Sequence, residues 1–89
     1  MRAVITVIGK DKVGIIAKVS NECLKFNVNI IDITQKVFED TFAMIMMVDI
    51  SSISVSFTEF IDKMKDLGNE IGMSIRTMHE DIFNSMHKI

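Results

Sequence analysis

Residues 9–17 read GKDKVGIIA. Two glycines and three charged residues stand between an apolar run and a helical pattern, and the conformation of this junction decides the fold. On its N-terminal side, RAVITVI at residues 2–8 is rich in β-branched side chains and runs straight into Gly9. That is the pattern of a strand buried on both faces. On its C-terminal side, Ile16, Val19, Cys23 and Phe26 recur at 3-4-3 spacing, one face of a helix over 13–26, while Lys18, Asn21, Glu22 and Lys25 fall largely on the other. Asn27 and Asn29, flanking Val28, end that helix.

Working outward, residues 29–39 read as a half-exposed strand, with Ile31, Ile33 and Val37 on one side and Asp32, Thr34 and Lys36 on the other. Glu39-Asp40-Thr41 is a tight turn. FAMIMMVDI at 42–50 is apolar on both sides apart from Asp49, as a central strand should be. After a Ser-rich connection, Ser56 and Glu59 form an S-x-x-E capping box. Phe57, Phe60, Ile61, Met64, Leu67 and Ile71 follow at helical spacing, and Gly72 suits the position just past the helix end. MSIRTMH at 73–79 alternates as a strand, with Met73, Ile75 and Thr77 opposing Ser74, Arg76 and Met78. Ile82, Phe83, Met86 and Ile89 mark a short amphipathic helix. The order strand-helix-strand-strand-helix-strand predicts an α+β, ferredoxin-like βαββαβ sandwich: a four-stranded antiparallel sheet with two helices on one face, plus a C-terminal helix. The expected division is one domain over 1–79 and a helical tail over 80–89, packing on the domain or on a dimer partner.

Composition narrows the function. Eighty-nine residues make one domain with a modest core. A net charge of −2 argues against a nucleic-acid partner, which calls for a basic surface, and the lack of Trp and Tyr removes the best stacking platforms. One cysteine, Cys23, excludes an intramolecular disulfide and suits a reduced, cytoplasmic setting. No apolar run approaches the ~20 residues of a membrane span, and no signal peptide is visible. Two helices cover one face of a sheet whose central strands are apolar on both, so the second face needs the C-terminal helix, a partner subunit, or both. A homodimer is the expected solution. Met44, Met46 and Met47 read as adaptable packing rather than soft-metal ligands. His79 and His87 lack companions at ligand spacing, so no metal or cofactor is expected.

The chemistry of this topology belongs at the junction. Gly9 lets the chain leave the strand with unusual dihedrals. The helix that follows presents free N–H groups, a site for a carboxylate or another anion. Gly14 opens the backbone to a small ligand, Asp11 suits either an N-cap or a ligand ammonium, and Lys10 and Lys12 suit anions or solvent. Two readings stay open here, a helix-starting turn and a ligand loop. No P-loop and no G-x-G-x-x-G is present. Iron–sulfur and soft-metal carriers of this fold want several cysteines. An acylphosphatase-like enzyme would want an arginine in this loop, which has lysines instead, so that reading stands third.

The apolar strand, GKDKVGIIA, the helix and then NVNIIDITQ together resemble the ACT domain family over nearly the whole chain, most closely its small stand-alone bacterial and archaeal members of uncharacterised function. The tail HEDIFNSMHKI resembles the end of that group, and related ACT tandems occur in regulators of the glycine cleavage system. The resemblance implies a regulatory, non-enzymatic module that binds an amino acid at a subunit interface. It places the ligand loop on Asp11, Lys12, Val13, Gly14 and Ile15, with the start of the second strand, Asn29, Ile30 and Ile31, lying against it. Many ACT sequences carry proline where this chain has Val13. The rival expectation is an interaction module, with no small ligand, docking an unidentified regulated protein.

Overall fold

The computed structural model describes residues 1–10 and 12–87. Its order is β1 (Arg2–Lys10), α1 (Ile15–Lys25), β2 (Asn29–Phe38), β3 (Thr41–Asp49), α2 (Phe57–Ile71), β4 (Met73–His79) and α3 (Glu80–Met86). The strands form one antiparallel sheet in the order β2-β3-β1-β4. The predicted ferredoxin-like sandwich is therefore present, with β3 and β1 central and β2 on an edge. Among the described residues, no helix is long and apolar enough to cross a membrane.

The core lies between the sheet and the pair α1 and α2. Ala3, Ile5 and Val7 of β1, and Phe42, Met44, Met46 and Val48 of β3, point into it. Ile15, Val19, Cys23, Phe60 and Met64 meet them from the helices. Phe26 and Phe60 pack edge-on, with ring centroids 6.0 Å apart. The period-two pattern of the strands and the helical spacing of α1 and α2 thus converge on one layer. The Ser56 hydroxyl accepts the Glu59 N–H at 3.1 Å and starts α2. Gly72 ends it at φ 74°, a left-handed conformation that glycine adopts without strain.

Four expectations change. Gly9 does not break the strand: it pairs with Phe42 and Met73 inside β1, and a Cβ there would fall 2.6 Å from the Met73 sulfur. Its role is close approach, and the turn begins after Lys10. The first helix starts at Ile15, two residues later than its apolar pattern, and Val13 is fully exposed. β1 is not buried on both faces, because Ile8 stays half exposed on the second face. Finally, β2 does not alternate evenly. A bulge between Ile30 and Asp32 leaves Ile31 without a register partner, so Ile30 and Ile33 both face the core while Ile31 turns outward.

α3 runs across the second face and touches β1 and β4. Val4 is completely buried on this face and Phe83 is half-buried, but Ile8 and Ile45 remain 52% and 44% exposed. The tail therefore covers its own domain only in part. Ile89 lies outside the described residues.

Candidate functional site

Among the described residues, no side chain caps the start of α1. Its N-cap is Gly14, at φ 86°, and no acidic residue occupies the first turn. A helix start presents backbone donors to a ligand, with the positive end of the helix behind them. A Cβ built on Gly14 would meet no atom within 4 Å. The space over this turn is open, and the glycine is required by its dihedral rather than by crowding. A cleft of about 390 Å³ follows, lined by Lys12, Gly14, Ile15, Ile16 and Ala17 on one side and by Gln35, Lys36, Val37 and Phe42 on the other. Its far wall is the end of the β2–β3 hairpin, which the antiparallel register brings beside the end of β1.

Of the residues expected at the ligand loop, Val13, Gly14 and Ile15 sit at this helix start, although Val13 points fully into solvent and Ile15 into the core. Asp11 lies outside the described residues. Lys12 lines the cleft, while its Nζ reaches toward α2 and donates to the Ile71 carbonyl at 3.2 Å. A cation on the last carbonyls of a helix is a stabilising cap. A Cβ on Gly72 would come within 2.8 Å of that ammonium, but this flexible tip can swing aside, so the left-handed φ of 74° is what calls for glycine here.

Asn29, Ile30 and Ile31 are elsewhere. Asn29 pairs with Asp49, whereas the loop end of the sheet is marked by Lys10 pairing with Thr41 and Phe38 with Thr41. Nine steps of β2 at 3.3 Å put about 30 Å between Asn29 and the loop end of its own chain. Within one chain, the two halves of the expected site do not meet.

The Asn29 end has its own polar cluster, which sequence reading passed over. The Asp49 carboxylate accepts the Ser51 hydroxyl at 2.6 Å and the Ser51 N–H at 2.9 Å, with the Met1 amino group 3.7 Å away. The Ser51 hydroxyl, then its N–H, hold the Asp49 carboxyl below its ordinary value. Gln35, Lys36 and Phe42 in the cleft were also missed. Only strand register links them to Gly14, and the local sequence carries no sign of that pairing.

Among the described residues, no group of three or more His, Cys, Asp or Glu is placed to hold a metal. Cys23 is wholly buried, and burial, with the Glu22 carboxylate adding to it, pushes its thiol from 9.0 up to about 11. It is a packing residue, unsuited to nucleophilic work near neutral pH.

A family model for the ACT domain matches residues 2–78. A UPF0237 protein of Listeria innocua is 47% identical over the full length of both chains. The solved ACT domain protein from Streptococcus pneumoniae superposes with a TM-score of 0.81 at 36% identity, over 93% of each chain. The ligand-free regulatory subunit of aspartate kinase from Thermus thermophilus shares the fold, with a TM-score of 0.65 at 24% identity over 85% of this chain and 49% of that one.

Proposed function

Because this chain belongs to the ACT domain family, we propose that it is a small cytoplasmic regulatory module, not an enzyme, that binds a free amino acid at the interface of a homodimer. The observation that carries this reading is the separation of the two half-sites along β2. β2 is a free edge strand of ten residues, and Ile31, Val37 and Phe38 expose large apolar side chains on it. Two copies of β2 pairing antiparallel about Thr34, each carrying its bulge at Ile31, would set Asn29 of one against Phe38 of the other. The Asn29 end of one chain would then lie beside the α1 start of its neighbour. One two-fold operation joins both half-sites twice.

In that pair, the ligand carboxylate meets the N–H groups at the start of α1, where Gly14 leaves room. Its ammonium meets the Asn29 side chain, with Asp49 close by, from the second copy, or Asp11 from the same loop. Because the ligand touches both chains, binding favours the paired state, and the dimer equilibrium becomes the output. The name of the aspartate kinase regulatory subunit supports the regulatory half of the reading.

Amide NMR spectra recorded with each of the twenty amino acids test this. One or two of them should shift the amides of Gly14–Ala17 and of Asn29–Ile31 together. Asn29→Ala should lose both sets of shifts. Movement at Gly14 that is unaffected by Asn29→Ala would place the ligand within a single chain and remove the interface from the mechanism.

A further inference from the structure

The sheet has a second edge. Among the described residues β4 pairs with β1 alone, so its outer side offers a row of backbone donors and acceptors over Met73–His79. Such an edge is a template for another strand unless something blunts it. α2 covers the inner face of β4 closely. Gly68 is buried against it, and a Cβ there would fall 2.7 Å from the Met73 carbonyl oxygen. This contact sets the stripe Ile61, Lys65 and Asn69 along the rim of a groove of about 480 Å³, whose other wall is β4 from Met73 to Met78.

The charges of the groove select its occupant. Lys65 rims it on the helix side, and Arg76 projects from the opposite face of β4. Neither makes an ion pair among the described residues, where the pairs are Met1–Asp49 and Arg2–Glu80. A second copy of β4 would suit this edge poorly. Antiparallel pairing of the seven-residue strand about its centre would put Arg76 against Arg76, and like charges directly opposite are unfavourable. An acidic strand has no such conflict.

We propose that the outer edge of β4 docks an extended acidic segment of another protein, added to the sheet as a fifth strand. The backbone supplies the hydrogen bonds, as in other strand additions. Successive side chains of the added strand point to opposite faces. Lys65 and Arg76 also lie on opposite faces, so the recognised segment carries carboxylates at an odd spacing, most simply two in succession, with β-branched residues around them. This surface is separate from β2 and would leave a β2-paired dimer intact.

The test titrates the ¹⁵N-labelled full chain with acetyl-Thr-Val-Glu-Glu-Val-Thr-amide, and with the same peptide carrying Lys-Lys in place of Glu-Glu. The acidic peptide should shift the amides of residues 73–79 and slow their hydrogen exchange, and added salt should weaken it. The basic peptide should bind about tenfold or more weakly, as two exposed charge pairs are lost and replaced by repulsion. Lys65→Glu with Arg76→Glu should reverse that preference. The milder Lys65→Gln and Arg76→Gln, surface changes that leave the core alone, should each weaken the acidic peptide by about threefold. Absence of shifts at millimolar peptide, equal binding of both peptides, or shifts confined to β2 would overturn the proposal. So would concentration-dependent protection of 73–79 without peptide, because a second copy would then hold the edge.

Discussion

Gly68 and Gly14 fail an added methyl group for opposite reasons, and substituting them probes the packing directly. Gly68 lies inside α2, where alanine would be the better helix former by about 1 kcal/mol. A Cβ there, however, would stand 2.7 Å from the Met73 carbonyl oxygen and 3.1 and 3.3 Å from Ile75 side-chain atoms. The carbonyl belongs to β4 and cannot rotate away, so α2 must lift. Overpacking of this kind costs about 1–3 kcal/mol, which leaves Gly68→Ala about 1 kcal/mol less stable after the gain in helix propensity. In a domain of this size, thermal unfolding should fall by about 4–8 °C. Gly14→Ala has open space around it and a forbidding φ of 86°. It should lose about 1–2 kcal/mol through the left-handed backbone alone. Asparagine separates the two mechanisms. At position 14 it should be milder than alanine, because it tolerates left-handed dihedrals. At position 68 it should be worse, because it is larger. Thermal and urea unfolding of the four variants read this out. A Gly68→Ala protein as stable as its parent, or more so, would refute the close contact between α2 and β4.

Three further outcomes follow from single contacts. Thr77 is 9% exposed and its hydroxyl has no partner among the described residues, so the isosteric Thr77→Val should raise stability by about 1 kcal/mol in urea unfolding. Ser56→Ala removes the acceptor of the Glu59 N–H and should cost about 1 kcal/mol, seen as a lower urea midpoint. The raised Cys23 thiol ties stability to alkaline pH. Between 9.0 and about 11 the unfolded thiol ionises while the folded one keeps its proton, so the unfolded state binds fewer protons and stability falls as pH rises. Unfolding midpoints from pH 8 to 11 should show this decline, and it should be smaller in Cys23→Ala.

Much of the fold was legible because local signals agreed with one another. The capping box at Ser56, the glycine stop at Gly72 and the alternation of 73–79 each fixed an element whose bounds the structure reproduces closely. Elements were misread where tertiary contact overrode the local pattern. Gly9 looked like a strand stop, but its missing side chain serves the packing of Met73. The bulge at Ile31 arises from pairing with β3 and has no mark in the residues of β2 themselves. Val13 is apolar yet wholly exposed, because the chain enters α1 through the left-handed Gly14. The candidate site was half legible. Its helix start followed from Gly14, whereas Gln35, Lys36 and Phe42 join it only through register, and Asp49 lies at the other end of β2. Lys12 was read for its charge, and its actual partner is a carbonyl fifty-nine residues along the chain.

Binding of an amino acid across a pair of these chains would show itself in thermal unfolding. The protein, at one fixed concentration, is melted with each of the twenty amino acids at millimolar level. A ligand present at 100 times its dissociation constant adds about 2.7 kcal/mol, a rise on the order of 10 °C for a domain of this size. One or two amino acids should give a rise of that order, lost in Asn29→Ala. Twenty unchanged midpoints would contradict such binding, and would leave GKDKVGIIA as the turn that starts a helix.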